Sequence, residues 1–369
     1  MINHKFTGVL STLALASMAI GSSMIRPENA LNAPIAFAQS SATSKAAPNQ
    51  ASNKKPIAAQ PKVIAKPITL FWADILEQEP NPQVVTDANL RKSIQATGFP
   101  WRVKDKASGI EMLLVPQGKF EMGMSPGDSE ALANEKPAHL VTISKPFYLG
   151  RTEVTQGQWV KIMKDNPSNF KVQNPREAMV VILMKQGMTK EAALSMTASA
   201  SIKIDALPVE KVSWEDCQLF CATSGLVLPT EAQWEYACRA GVSAPCYGEV
   251  DDIAWNESNS NGETSHVAQK EANPLGFYDM IGNLWEWTSD VYVPGFYTIC
   301  KDGVIDPRAT AMKSTPEAIR YVVRGSSWGR NASTCRATVR AGIVGTEQNR
   351  FFGFRVARDP LQQESQRNN

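Results

Sequence analysis

Turn-forming residues and tryptophans occur along most of this chain, and together they limit the folds that it can adopt. Gly and Pro each occur 23 times in 369 residues, and Trp occurs 9 times. Gly and Pro interrupt helices and central strands, whereas tryptophans need large buried surfaces to pack against. The combination predicts short elements joined by long ordered loops. It excludes a collagen, a coiled coil and a wholly disordered chain.

The charge balance and the small number of histidines exclude several classes of function. Lys+Arg number 38 against 36 for Asp+Glu, so the net charge of +2 gives no basic surplus for nucleic-acid binding. No phosphate-binding Gly loop is present. His139 and His266 lie in separate blocks, and no catalytic triad is evident.

The N-terminal segment is predicted to direct export. An uncharged apolar run at 6–24 follows Lys5, and Ala36-Phe37-Ala38 resembles a cleavage site, so residues 1–38 are predicted to be a signal peptide. The alternative is an uncleaved membrane anchor. Cleavage predicts a periplasmic or extracellular protein without a membrane anchor. Residues 39–70 lack acidic residues and are rich in Ala, Lys and Pro, which predicts a flexible linker, and 360–369 form a polar tail.

The remaining chain shows helix and strand signals. Residues 71–100 are predicted to be a helical prelude with Ile75, Leu76, Leu90 and Ile94 as its apolar positions. Strands are expected over 110–120, on both sides of a Pro/Gly turn, and at 139–143 and 147–149. Capping motifs predict three helices, which begin after Thr155, Ser213 and Thr230 and end near Met163, Ala222 and Arg239.

Five blocks together carry a family resemblance. They are IEMLLVPQGKFEMG (110–123), EKPAHLVTISKPFYLGRTEVTQGQW (135–159), LPVEKVSWEDCQLFC (207–221), LPTEAQWEYACRAG (228–241) and NPLGFYDMIGNLWEWTSD (273–290), continued by RGSSW (324–328) and GFRV (353–356). In this order they resemble the formylglycine-generating enzyme, or sulfatase-modifying factor, family. The resemblance implies a single compact α+β domain of the C-type-lectin-like kind over 101–359. Residues 171–207 stand where relatives have a short connection, so they are identified as an insertion.

The resemblance also implies an active site that is incomplete here. The family's best-known member uses two cysteines, copper and O2 to oxidise a substrate cysteine to formylglycine, so a protein or peptide substrate is implied. When the Gly-Ser-aromatic turn is aligned with the family, Cys335 stands at the position of one copper-binding cysteine, and Arg330 stands at the position of the other. Ser327 and Trp285 correspond to residues of the family's cleft. A guanidinium has no lone pair for a metal. Arg330 is interpreted instead as a charge that lowers the pKa of Cys335.

A calcium site is the second feature that the resemblance implies. The family binds Ca²⁺ through one side-chain oxygen, two backbone carbonyls and a Glu, which correspond here to Asp279, Gly282, Leu284 and Glu286. Ca²⁺ takes six to eight oxygen ligands, and two carboxylates offset its charge. The alternative is that Asp279 and Glu286 bind backbone N–H groups or an arginine.

The six cysteines leave several pairings open. Six thiols allow 15 full pairings, and the family partners of Cys221 and Cys238 are replaced here by Val356 and Arg340. Cys335 is interpreted either as the functional thiol, with Cys300 as a possible partner, or as a buried thiol or half of a disulfide. Two functions therefore remain. One is an oxidoreductase that modifies a protein or peptide cysteine, and the other is a non-catalytic binding, maturation or accessory module.

Overall fold

The computed structural model describes residues 68–171, 180, 183–184, 187–196, 206–310 and 319–361. The predicted signal peptide, nearly all of the predicted linker, most of the predicted polar tail and about half of the predicted insertion lie outside these residues. Within them, no helix combines the length and the apolar character that crossing a membrane requires.

Short strands and helices alternate along the described chain. The strands are β1 (Ala73–Glu77), β2 (Arg102–Asp105), β3 (Glu111–Val115), β4 (Gly118–Met122), β5 (His139–Ile143), β6 (Phe147–Gly150), β7 (Trp285–Val291), β8 (Val304–Ile305), β9 (Arg320–Arg324), β10 (Arg340–Val344), β11 (Phe352–Gly353) and β12 (Ala357–Arg358). The α-helices are α1 (Ala88–Ala96), α2 (Gln156–Met163), α3 (Lys190–Met196), α4 (Trp214–Ser224), α5 (Glu231–Arg239), α6 (Val250–Ile253) and α7 (Phe296–Ile299). The predicted α+β class with many ordered loops is confirmed.

Three small sheets organise these strands. An antiparallel sheet has the order β1-β2-β3-β6-β12, and a second sheet has the order β10-β9-β7-β11 with β11 parallel to β7. A third sheet, β4-β5-β8, pairs β8 parallel to β5. The core contains fully buried aromatic side chains from several elements, among them Trp101, Trp234, Trp287, Phe220 and Phe277. The tryptophans therefore occupy the interior, as their number predicts.

The three capping motifs form as predicted. Thr155, Ser213 and Thr230 are the N-caps of α2, α4 and α5, and each accepts a hydrogen bond from the backbone N–H three residues later. Helix α4 runs two residues past the predicted end, to a left-handed Gly225. Helix α5 ends at Arg239 as predicted, and its left-handed cap is Ala240.

The predicted helical prelude is wrong in its first half. Residues 73–77 form strand β1, which pairs with β2, and Ile75 and Leu76 are 44% and 41% exposed instead of covering a helix face. Helix α1 forms only over Ala88–Ala96, where Ile94 is buried and Leu90 packs on the core. Pairing with a distant strand outweighs local helix propensity in this segment.

Candidate functional site

The turn that carries Ser327 and Trp328 is anchored to the turn predicted to bind calcium. Gly325 and Ser326 follow β9 with φ angles of +94° and +69°. Gly282 N–H donates to the Gly325 carbonyl at 2.8 Å, and Trp328 N–H donates to the Asn283 carbonyl at 2.8 Å. These two backbone hydrogen bonds hold the predicted catalytic turn and the predicted calcium turn in fixed register.

The predicted cleft residues are covered. Ser327 is fully buried, and its Oγ has no hydrogen-bond partner among the described residues. Trp285 begins β7, is 7% exposed and donates its backbone N–H to the Phe351 carbonyl at 2.9 Å. A buried hydroxyl without a partner is unusual in a folded interior. The Ser327 hydroxyl is therefore a buried polar group that the described residues leave free for a water or ligand.

An aromatic cluster lies over this turn. Trp328 contacts Phe170 edge to face at 5.5 Å and Phe351 at 4.7 Å between ring centroids. The guanidinium of the exposed Arg350 lies 5.1 Å from the Trp328 ring, and Trp328 Nε1 donates to the Arg350 carbonyl. Phe170 immediately precedes the insertion and is held by its N–H bond to Glu210 Oε1 at 2.8 Å. The sequence interpretation missed this cluster because its members come from three separate segments.

The two positions of the family's copper pair differ sharply in environment. Cys335 is fully buried, and burial raises the pKa of its thiol to about 12, although a hydrogen bond with Ser326 acts in the opposite direction. Arg330 is exposed and is absent from the groups that shift this pKa. The interpretation that Arg330 lowers the pKa of Cys335 is therefore wrong. A protonated thiol and a guanidinium do not fit a two-thiolate copper site.

The thiol beside Cys335 is Cys246, not Cys300. Cys246 Sγ donates to the Cys335 carbonyl at 3.1 Å and is among the groups that raise the pKa of Cys335. Cys300 follows α7, and the charged groups that act on it are Glu231 and Arg340. All six cysteines are free thiols in this structure.

Two of the predicted calcium residues, Asp279 and Glu286, contact a buried arginine. Glu286 accepts bonds from Arg355 Nε at Oε2 and from Arg355 Nη2 at Oε1, both at 2.7 Å, and from Trp234 Nε1 at 2.7 Å. Arg355 Nη2 also donates to the carbonyls of Tyr278 and Asp279. This pairing is the alternative that the sequence left open for Glu286, and it uses the arginine of the GFRV signature.

Negative charge nevertheless exceeds positive charge around Arg355. The fully buried carboxylates of Glu153, Asp279 and Glu286 all act electrostatically on this one guanidinium. Burial is the main cause that raises the pKa of Glu153 well above its usual range and that of Asp279 to about 6. Asp279 Oδ2 accepts the Ala268 N–H, while Oδ1 is buried without a partner within the described chain. An unpartnered carboxylate oxygen in an acidic setting fits a hard cation.

Other buried arginines form the ion pairs that hold the domain together. From the sequence, Arg336, Arg340 and Arg355 are expected to pair with buried carboxylates such as Asp290 or Glu153. Each of the three bonds a buried carboxylate, but the bonded residue is neither Asp290 nor Glu153. Arg340 binds Glu231 through two bonds of 2.6 and 2.8 Å, and Arg336 binds Glu135 at 2.7 and 2.8 Å. Arg324, which was not predicted, bonds Glu235. Bidentate pairing of this kind is typical of buried Arg–carboxylate contacts.

Two cavities of the described chain lie away from these predicted residues. One, of about 290 Å³, is mainly apolar and is lined by residues such as Phe120, Tyr236 and Leu275. The other, of about 600 Å³, is lined mostly by polar and charged residues such as Lys104, Arg151 and Lys161. Ser327, Trp285 and Cys335 line neither cavity.

Comparisons with known proteins agree with the fold and the motifs. The model of the sulfatase-modifying factor enzyme 1-like domain matches residues 86–360. The chain belongs to this family. The formylglycine-generating enzyme of Streptomyces coelicolor is 26% identical over 66% of this chain and 88% of its own length. The structure of PvdO from Pseudomonas aeruginosa shares the fold, with a TM-score of 0.54 and 24% identity over 70% of this chain and 97% of that one.

A relative with a different name matches the same domain. A serine/threonine-protein kinase, pkn1 of Chlamydia caviae, is 28% identical over 69% of this chain. The chain spans only about two fifths of that relative's length. Membership of the sulfatase-modifying factor family therefore fixes the domain, while the activity of this member depends on its own site residues.

Proposed function

We propose that this member of the family is an accessory module that binds a protein or peptide and does not oxidise cysteine with copper. The observation that carries the proposal is the pair of residues at the copper positions. Exposed Arg330 supplies only N–H donors, and buried Cys335 holds its proton because its pKa is about 12. Forming a thiolate–copper bond there requires a buried thiol to lose that proton, and no second thiolate is supplied at position 330. Without the copper site, the folded domain and its aromatic cluster around Trp328 remain to bind a partner.

We expect no formylglycine from a Cys-x-Pro-x-Arg peptide incubated with the protein, O2 and copper. One buried thiol cannot supply the two soft ligands that linear Cu(I) takes. Mass spectrometry of the peptide measures the result, and Cys335→Ser is the matched variant. Turnover by the unmodified protein that disappears in Cys335→Ser would contradict the proposal and favour the oxidoreductase.

The binding role is tested at the aromatic cluster. A photo-crosslinking residue is placed at Arg350, which lies against Trp328, and at Ile305, which is 64% exposed on β8 of another sheet, as the control. We expect a defined protein or peptide adduct from position 350 in cells of the source organism and little from 305. Equal labelling from both positions would remove the cluster as the binding surface.

We also propose that Ca²⁺ binds at Asp279, with Glu286 and the carbonyls of Gly282 and Leu284 as the other ligands. The support is the unpartnered Oδ1 of Asp279 and the excess of buried carboxylates around Arg355. Glu286 bonds Arg355 through both oxygens, and each carboxylate oxygen has more than one lone pair. The ion would offset negative charge that a single guanidinium leaves uncompensated.

Chelation is expected to lower the melting temperature, and added Ca²⁺ is expected to restore it. At 100-fold excess over the dissociation constant, the ion stabilises the native state by about 2.7 kcal/mol. Asp279→Gly should abolish the response, because Gly keeps the left-handed backbone (φ 52°) while it removes both oxygens. Asp306→Gly, at another left-handed Asp (φ 46°), should keep it. Identical melting curves of the unmodified protein in chelator and in Ca²⁺ would refute the assignment.

Export remains a further proposal, supported by the N-terminal pattern alone. We expect the mature form to begin near Gln39, after Ala36-Phe37-Ala38. N-terminal sequencing of the protein recovered outside the cytoplasm measures this, and a recovered form that begins at Met1 would contradict cleavage.

A further inference from the structure

Cys246 and Cys335 come together from distant parts of the chain. Cys246 lies in the loop between α5 and α6, and Cys335 follows the 3₁₀ turn Ala332–Thr334. Ala337 N–H donates to the Pro245 carbonyl at 2.8 Å, so the two loops run side by side. Cys246 Sγ lies 3.1 Å from the Cys335 carbonyl oxygen. The second thiol is therefore held against the residue that carries the first.

We propose that Cys246 and Cys335 form a disulfide under oxidising conditions, and that the thiol–carbonyl hydrogen bond belongs to the reduced form. A disulfide needs the two Cα atoms within about 7 Å and side chains that face each other. The backbone bond between Ala337 and Pro245 and the contact of Cys246 Sγ with the Cys335 carbonyl hold the two residues side by side, which favours the first condition. The second requires Cys246 Sγ to turn away from the Cys335 carbonyl oxygen and the Cys335 thiol to leave its hydrogen bond with Ser326.

The chemistry is a thiol–disulfide exchange with a small-molecule disulfide as oxidant. Half-buried Cys246 loses its proton and attacks one sulfur of the oxidant, which forms a mixed disulfide and releases one thiol. Fully buried Cys335 then loses its proton, which its raised pKa makes the slow step, and attacks the Cys246 sulfur, which releases the second thiol. The protein loses two electrons and two protons, and the oxidant is reduced to two thiols. Cys246 reacts first because it is the accessible partner.

Other thiols of the described chain lack this arrangement. Cys217 and Cys221 lie one turn apart on α4, and Cys238 on α5 contacts the Met280 carbonyl. Cys300 is half-buried like Cys246, but its charged neighbours are Glu231 and Arg340. The geometry therefore selects one pair among the six thiols and makes Cys300 a matched control.

The test uses the full-length protein equilibrated with excess oxidised glutathione at pH 8.5, beside a reduced sample. Trypsin places Cys246 alone in the peptide 240–270 and Cys335 alone in the peptide 331–336. We expect these two peptides joined, two hydrogens lighter than their sum, and a loss of two of the six free thiols. We also expect a melting temperature higher by several degrees, because a cross-link across a long loop restricts the unfolded chain.

Three single variants show which two cysteines are joined. Cys246→Ala and Cys335→Ser should each lose the joined peptide, whereas Cys300→Ser should keep it. Cys246→Ala changes a half-buried residue, so it remains informative if buried Cys335→Ser fails to fold. The proposal is overturned if all six thiols survive, if Cys246 carries only glutathione, or if other cysteines are joined. None of these outcomes depends on whether the protein is an accessory module or an oxidase.

Discussion

Replacing Arg355 by Met is expected to lower the free energy of unfolding by about 3–5 kcal/mol, the range found when one partner of a buried ion pair is removed. Arg355 is fully buried and bonds Glu286 through two nitrogens. It also donates to the carbonyls of Gly150, Tyr278 and Asp279. Methionine fills similar space but leaves Glu153, Asp279 and Glu286 without their common cation. Denaturant unfolding at pH 7 measures the loss.

The pH dependence separates this electrostatic effect from simple packing. Without Arg355 the folded-state pKa values of Glu153 and Asp279 rise further above their unfolded values, so the contribution of these two groups to stability falls as the pH rises. The loss caused by Arg355→Met should therefore be larger at pH 8 than at pH 5. The double variant Arg355→Met/Glu286→Gln should lose less than the sum of the single variants, because it removes one of the unpaired charges. Additive, pH-independent losses would show that the charge cluster contributes little.

Gly282→Ala is expected to destabilise the domain by about 2–5 kcal/mol, from left-handed strain and overpacking together. Gly282 has a φ of +84°. A Cβ at this position would lie 2.5 Å from the Trp255 carbonyl oxygen and 2.7 Å from the Trp255 nitrogen. Those are backbone atoms, and Asn283 N–H is bonded to the same carbonyl at 2.9 Å. The turn that links the calcium residues to Gly325 must therefore move.

Gly262→Ala provides the matched comparison. Gly262 has a nearly equal φ of +81°, but a Cβ there would meet no atom within 4 Å. Only the left-handed strain of about 1–2 kcal/mol remains. Thermal or denaturant unfolding of both variants should show the larger loss at position 282. Equal losses would mean that the backbone around Trp255 yields easily.

Local contacts explain what the sequence predicted well. The capping boxes at Thr155, Ser213 and Thr230 depend on groups three residues apart, so a short sequence window contains the whole interaction. The strands on both sides of the turn at 116–117 were also predicted from a short pattern, although β3 and β4 pair with other strands in two different sheets. The order of the motifs was sufficient to identify the family, because each motif is contiguous in the chain.

Long-range pairing explains the errors. Strand β1 was predicted as part of a helix, since nothing in residues 71–77 indicates that β2 will pair with them. Arg336 and Arg340 were correctly predicted to bind carboxylates, but their partners lie on segments far away in sequence. Arg330 was wrongly predicted to lower the pKa of Cys335. The two residues are close in sequence, but Arg330 is exposed to solvent whereas Cys335 is buried.

By itself, the sequence determined the family, the capped helices, the retained Cys335 and the loss of its copper partner at position 330. Tertiary structure decided the environment of each group. It buried Cys335 until its pKa reached about 12, brought Cys246 against it and placed Arg355 between three carboxylates. The physical reason is that residue identity sets which bonds a side chain can make, whereas burial and neighbours from distant segments set its charge and its partner.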